Sequence, residues 1–217
     1  MIAEAVNYYE IISRLPEDAE VTFHNISWQE YEELLEQVGE ASGLRLAYDN
    51  GSLQVMTLST EHEKFVRFFE SLITAIRLRL RINILSFGSA TMRRRNRSAG
   101  KEPDACFYVQ SAAAIGNKIT INFAEDPPPD IAVEVDIHHG SQDKFPIYAA
   151  LGVPEIWRFD GQTLTIFLLQ QGDYVVATGS LALPMLTSDI LTDYLRRLRD
   201  EGEFQTLLAF DEWLQSL

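Results

Sequence analysis

With 217 residues, 46% hydrophobic and 23% charged, the chain has the composition of a globular protein with length for one substantial core. No run of about 18 apolar residues is present, which excludes a helical membrane span. A net charge of −14, taken alone, argues against a nucleic-acid partner. The opening Met1–Asn7 has an early acid, Glu4, and no basic stretch, so it does not read as a secretory leader. The single cysteine, Cys106, excludes an internal disulfide and fits a reducing, cytoplasmic compartment.

In chain order, Ser27-Trp28-Gln29-Glu30 is a capping box that opens an acidic amphipathic helix to about Val38, stopped by Gly39. Leu44–Tyr48 and Leu53–Leu58 flank Asp49-Asn50-Gly51-Ser52 and predict a hairpin. Thr60-Glu61-His62-Glu63 predicts a second capping box and the longest helix. Its core stripe is Phe65, Phe68, Phe69, Leu72, Ile73 and Ile76. Strands are expected at Ile82–Phe87, Ser89–Arg94 and Ala105–Val109, then a short helix near Ser111–Ile115. A buried strand follows at Ile131–Ile137 and a short helix at Asp143–Leu151, ended by Gly152. A meander over Glu155–Phe159, Thr163–Leu169 and Asp173–Thr178 precedes two helices, Ser188–Arg199 and Glu203–Leu217. No repeat, low-complexity stretch or long linker interrupts this. A single domain is expected over 1–217, with its core at about 44–180 and terminal helices over 187–217.

Charge is unevenly distributed. Residues 71–101 hold eight basic residues (Arg77, Arg79, Arg81, Arg93, Arg94, Arg95, Arg97, Lys101) and no acid, which leaves −22 on the rest. Phosphate contacts depend on the local field, so Arg93, Arg94, Arg95 and Arg97 are candidate backbone clamps. A solvated basic edge balancing the acidic remainder is the alternative.

Acidic side chains concentrate at Glu102-Pro103-Asp104 and at Pro129-Asp130-Ile131-Ala132-Val133-Glu134-Val135-Asp136. A period of two sets Asp130, Ala132, Glu134 and Asp136 on one face and Ile131, Val133 and Val135 on the other. Several carboxylates on one face are costly unless a cation or solvent compensates them. Hard cations such as Mg²⁺ take oxygen ligands, commonly one or two carboxylates plus water and phosphate. Two strands that bring such acids together can therefore serve phosphodiester cleavage. A solvated face with turn-forming Pro-Asp pairs is equally compatible with the spacing. An orienting lysine two residues past Glu134 is absent, because that position is Asp136. The next lysine is Lys144, whose flexible stem can reach back over the strand end. The intervening His138-His139-Gly140-Ser141 reads as a loop that could border substrate.

These stretches, with the hairpin at Leu44–Met56, Glu61-His62-Glu63 and Ile147-Tyr148-Ala149-Ala150-Leu151-Gly152-Val153-Pro154-Glu155-Ile156-Trp157, resemble the Uma-type restriction endonucleases. That family lies in the PD-(D/E)XK nuclease superfamily, and the likeness covers nearly the whole chain. It implies an α/β, restriction-endonuclease-like core: a central mixed β-sheet flanked by helices, with an added N-terminal helix and hairpin. It further implies cleavage of DNA with Mg²⁺, Mn²⁺ being a substitute. By the same likeness Asp104 and Glu134 are the metal ligands, joined by the Val135 carbonyl. Lys144 is the displaced lysine, and His62 is a phosphate contact or a support of the metal site. Asp136 stands where the superfamily carries its usual lysine. A second metal would draw on Asp136 or Glu63. Two-strand cleavage implies a homodimer, for which the last helix (Phe204, Leu207, Leu208, Phe210, Trp213) offers apolar surface, unless it closes its own core.

Three readings follow. The chain is a metal-dependent endodeoxyribonuclease, or a catalytically inactive nuclease-fold protein that binds DNA or regulates, or a partner for a basic protein. Arg93–Arg97 separate the first two from the third.

Overall fold

The computed structural model describes residues 7–39, 43–138 and 140–217. The opening segment Met1–Val6, read above against a leader, and His139 of the paired histidines lie outside these residues. In chain order the first elements are α1 (Tyr8–Ile12), β1 (Glu20–His24), α2 (Trp28–Val38), β2 (Leu44–Asp49), β3 (Ser52–Thr57) and α3 (Thr60–Arg79). Then come β4 (Leu85–Ser86), β5 (Met92–Arg94), β6 (Ala99–Lys101), β7 (Ala105–Tyr108), α4 (Ala112–Ile115) and β8 (Ile131–Val135). The chain closes with α5 (Phe145–Leu151), β9 (Glu155–Phe159), β10 (Leu164–Gln170), β11 (Asp173–Ala177), α6 (Ser188–Glu201) and α7 (Glu203–Gln215).

Local chemistry sets most of these boundaries. The Ser27 hydroxyl accepts from the Glu30 amide at 3.2 Å while Glu30 accepts from the Ser27 amide at 2.8 Å, so the predicted capping box forms. Asn50 and Gly51 both take positive φ, 45° and 90°, as a tight two-residue hairpin turn requires. The second predicted capping box does not form. Ser59, one residue earlier, caps α3 by accepting from the His62 amide at 3.2 Å, and Thr60 becomes the first helical residue. The apolar stripe of α3 is buried as expected, against Val133, Val135 and Trp157 of the sheet.

The strands form two sheets. One has five antiparallel strands in the order β1-β3-β2-β6-β5. The other is the expected mixed sheet, in the order β11-β10-β9-β8-β7-β4, with β8 parallel to β9. Two of the predicted strands shrink. Ile82–Phe87 pairs only at Leu85–Ser86, and Ser89–Arg94 only at Met92–Arg94. β1, which the sequence reading did not include, alternates Val21 and Phe23 with Glu20, Thr22 and His24 and pairs with β3, whereas the three residues of β6 carry no period and are held by β2. A second apolar cluster containing Ala47, Met92, Ala132, Tyr148, Leu151 and Ile156 draws on both sheets and α5. Each large side chain so buried contributes about 1.5–3 kcal/mol.

At the C-terminus Phe210 is buried and Trp213 packs on Tyr194 and Phe210, so α7 does close its own core. Phe204 and Leu208 face outward. Among the described residues no helix is long and apolar enough to cross a membrane.

The feature that positions the site is the passage from sheet to sheet. Lys101 ends β6 and Ala105 begins β7, with only Glu102-Pro103-Asp104 between them. Glu102 pins this crossing, accepting from the Leu46 amide at 3.0 Å and the Thr91 hydroxyl at 2.7 Å. Its carboxylate is therefore spent on the joint. Asp104 is delivered to the neighbouring strand.

Candidate active site

Register brings the two principal acids together. Ala105 lies opposite Val133 in the antiparallel β7–β8 pair, and the Asp104 amide donates to the Val133 carbonyl at 3.0 Å. Asp104 is thereby set across from Glu134, and cross-strand neighbours have Cβ atoms about 5 Å apart. Both side chains leave the face opposite Ala105 and Val133, which belong to the main core. Like charges placed so close oppose folding unless they are compensated.

The compensation comes from the chain itself. Asp104 Oδ1 accepts from Arg45 Nε at 3.2 Å. Asp104 Oδ2 accepts from the Val135 amide at 2.8 Å and lies 3.0 Å from His62 Nε2. That last contact is close but is not an aligned hydrogen bond, since among the described residues both buried ring nitrogens of His62 lack a well-directed partner. Glu134 Oε1 takes the Tyr148 hydroxyl and lies 3.2 Å from Lys101 Nζ. Lys101 Nζ also donates to the Glu102 carbonyl at 2.9 Å. Among the described residues, no hydrogen bond reaches Glu134 Oε2.

Titration follows from these contacts. Burial works to raise Asp104, but the His62 contact and charge, then Arg45 and Lys101, hold it at about 2. Burial raises Glu134, and the Asp104 and Asp136 charges add to that against Lys101 and Lys144. Burial lowers His62, yet the Asp104 carboxylate outweighs it and its pKa ends above the ordinary value. Burial and then the Glu134 charge push the Tyr148 phenol far up, so it stays a donor to Glu134.

The other expected residues are distributed around this pair. His62, in the first turn of α3, meets Asp104. Lys144 ends a 3₁₀ turn, Gln142–Lys144, that runs into α5. It is buried, its charge reaches Glu134, and among the described residues it forms no ion pair. Asp136 accepts from Arg158 Nε and from the amide and hydroxyl of Ser141, at 2.8 and 2.9 Å for the latter two. It anchors the loop and Arg158 to the strand end. Asp130 shares a strand face with Glu134 but accepts from the Val109 and Ser111 amides at 2.7 and 2.9 Å, which clamps the chain entering α4.

The arginine run lies elsewhere. Arg93 is 4.0 Å from Glu32, and Arg94 donates to the Phe123 carbonyl. Arg95 and Arg97 are exposed on a 3₁₀ turn between β5 and β6, beside the Asn50 turn. The carboxylate pair sits past the opposite end of β6.

Three members of the cluster escaped sequence reading: Arg45, Lys101 and Tyr148. Arg45 arrives because Ala47 pairs with Lys101, which sets Arg45 beside Pro103 and Asp104. The only local signals were a lysine three residues before Asp104 and an arginine in the otherwise apolar Leu44–Leu46 run. Tyr148 and Glu155 belonged to the Tyr-Ala-x-x-Gly-Val-Pro-Glu stretch, whose physical content is now plain. Gly152 supplies the left-handed turn ending α5, at φ 82°. Glu155, fully buried, accepts from Trp157 Nε1 and from the Leu181 and Ala182 amides at 2.9 and 3.1 Å.

Among the described residues no group of three or more His, Cys, Asp and Glu is arranged to hold a metal ion, so a cation held here would depend on water and phosphate for most of its ligands. Two cross-strand carboxylates, one with an oxygen free of hydrogen bonds, fit a hard cation that keeps water and shares phosphate.

A mixed sheet flanked by helices, with an acidic pair where the chain passes between sheets, defines an α/β fold. A solved structure of similar fold is a putative nuclease belonging to DUF820 from Anabaena variabilis ATCC 29413. It matches with a TM-score of 0.54 and 18% identity, over 78% of this chain and 99% of that one. The family described as Uma2, Putative restriction endonuclease, matches residues 28–195, and the chain belongs to that family. No curated protein matches it.

Proposed function

We propose that this protein is a metal-dependent endonuclease acting on DNA, with Asp104 and Glu134 as the metal-holding pair. The observation that carries the reading is the β7–β8 register, which sets two buried carboxylates side by side within reach of several cations. A Mg²⁺ held there, or Mn²⁺ in its place, would polarise the scissile phosphodiester and acidify a bound water. In this reading Tyr148 and Lys101 fix the Glu134 carboxylate, while His62 fixes Asp104. Lys144, buried and without an ion pair among the described residues, orients the attacking water and offsets charge that develops on the phosphate. Arg95 and Arg97, exposed at the rim of the other sheet, contact backbone phosphates at a distance from the chemistry. A homodimer through the outward Phe204 and Leu208 would supply a second site for the second strand.

A second reading has one observation in its favour. The carboxylates are nearly closed off, Asp104 3% and Glu134 1% exposed, and are already neutralised by the chain's own cations. A DNA-binding protein that has lost catalysis could keep that arrangement. Supercoiled plasmid with Mg²⁺ or Mn²⁺ separates the two. The nuclease reading expects nicking that Asp104→Ala reduces to background while the circular dichroism spectrum is kept. Intact plasmid across both metal titrations, with salt-dependent DNA binding retained, supports the second reading.

A further inference from the structure

The acidic pair already has cations of its own: Arg45 at Asp104 and Lys101 at Glu134, with His62 also beside Asp104 and Lys144 near Glu134, while Asp136 pairs with Arg158. The arginine and the lysine are held very differently. Lys101 is 2% exposed in its side chain and tied to the Glu102 carbonyl, so it is part of the interior. Arg45 is 12% exposed and lies at the rim, where its outer nitrogen is 3.6 Å from the half-open Glu63. Its Nη1 donates to the Leu44 carbonyl at 3.0 Å.

Arg45 also covers one particular atom. Asp104 Oδ2 is engaged by the Val135 amide and His62, whereas among the described residues Oδ1 is engaged by Arg45. A divalent cation approaching Oδ1 therefore meets the guanidinium charge already on that oxygen. We propose that Arg45 is a phosphate-binding residue held against Asp104 Oδ1 until a divalent cation displaces it, whereupon it contacts the DNA phosphate beside that cation. The proposal rests on the reading of Asp104 and Glu134 as the metal-holding pair.

Two physical points support it. The Leu44 tether does not depend on Asp104, so the guanidinium stays at the rim after displacement, and Nε with Nη2, which is only loosely paired with Glu63 at 3.6 Å, forms a fork suited to phosphate. The arriving cation adds two positive charges beside residues that already carry Arg45, Lys101 and Lys144, and an anionic phosphate offsets them. Cation and phosphate should therefore bind cooperatively, each strengthening the other by the same factor.

Calorimetric titration of the full chain with Ca²⁺, alone and with a short DNA duplex, tests this without requiring cleavage. The wild-type protein should bind Ca²⁺ weakly alone and more tightly with DNA. Arg45→Gln should bind Ca²⁺ alone about tenfold more tightly, having lost its competitor, and gain less from DNA. Arg45→Lys should keep the weak Ca²⁺ binding while losing part of the DNA gain, because an ammonium lacks the fork. A natively melting Arg45→Gln whose Ca²⁺ affinity is unchanged or weaker overturns the proposal. So does an Arg45→Lys indistinguishable from Arg45→Gln, the arm that serves if the glutamine variant fails to fold. Ca²⁺ binding in the wild type that ignores DNA overturns it too. Absence of Ca²⁺ binding under every condition instead overturns the metal-holding pair, and this proposal with it.

Discussion

Two kinds of buried acid occur in this molecule, and they differ in what neutralises them. Asp130 and Glu155 are surrounded by neutral donors: the Val109 and Ser111 amides for the first, and the Leu181 and Ala182 amides with Trp157 for the second. Asp104 and Glu134 each accept one neutral donor, the Val135 amide and the Tyr148 hydroxyl, but are compensated by ionic side chains: Arg45, His62 and Lys101. Backbone amides cannot leave, so the first kind is a permanent fastening between loop and strand. Side chains can rearrange, so the second kind can exchange one cation for another. Identical chemistry in the sequence thus becomes structure in one place and a candidate site in the other.

Substitution should separate the two kinds. The largest loss of stability is expected for Glu155→Ala, which strands three donors in the interior. About 4 kcal/mol should go, read by urea unfolding, with Ca²⁺ affinity of the surviving folded protein unchanged. Asp130→Ala should cost about 2–3 kcal/mol by the same mechanism, again without touching cation binding.

Glu134→Gln should go the other way. Its carboxyl titrates above the ordinary 4.5, first through burial and then through its acidic neighbours, so the ionised form works against folding at neutral pH. Its neutral amide should leave stability unchanged or raise it by up to about 1 kcal/mol while abolishing Ca²⁺ binding. The sign reverses for Asp104. Its pKa is depressed from 3.8 to about 2, so its stabilising contribution is complete above pH 3.8 and fades as pH falls toward 2. Wild type should therefore lose more stability over that window than Asp104→Asn.

Tyr31 sharpens the comparison from the side of the donors. Among the described residues its buried hydroxyl has no hydrogen-bond partner, and it packs where a Cβ on Gly100 would lie 2.3 Å away. Tyr31→Phe removes a polar group nothing satisfies, so a melting temperature equal to or slightly above wild type is expected. A clear loss would mean the hydroxyl does have a partner.

How far the sequence could be read depended on whether the information was local. The Ser27–Glu30 box, the Asn50-Gly51 turn and the α3 stripe are contained in a few residues each, and all three form. The alternation of β8 correctly separated Val133 and Val135 from Ala132 and Glu134. It could not say that Asp130, on the same face, would be consumed by Val109 and Ser111. β6 is three residues, Ala99-Gly100-Lys101, with no period to detect, and it exists because β2 and β5 pair with it. Arg45 and Lys101 enter the site through that pairing, so the cations of the site were invisible while its acids were not. The Ser59 cap displaced the predicted Thr60 box by one residue, because adjacent hydroxyls compete for the same amides.

The central claim is that Asp104 and Glu134 jointly hold a divalent cation. Crystals soaked in Mn²⁺ and measured at the manganese absorption edge address it directly. The account predicts one anomalous peak between the Asp104 and Glu134 oxygens, absent from Glu134→Gln crystals soaked alongside. Manganese bound elsewhere, or no peak while Arg45 and Lys101 stay on the two carboxylates, would contradict it.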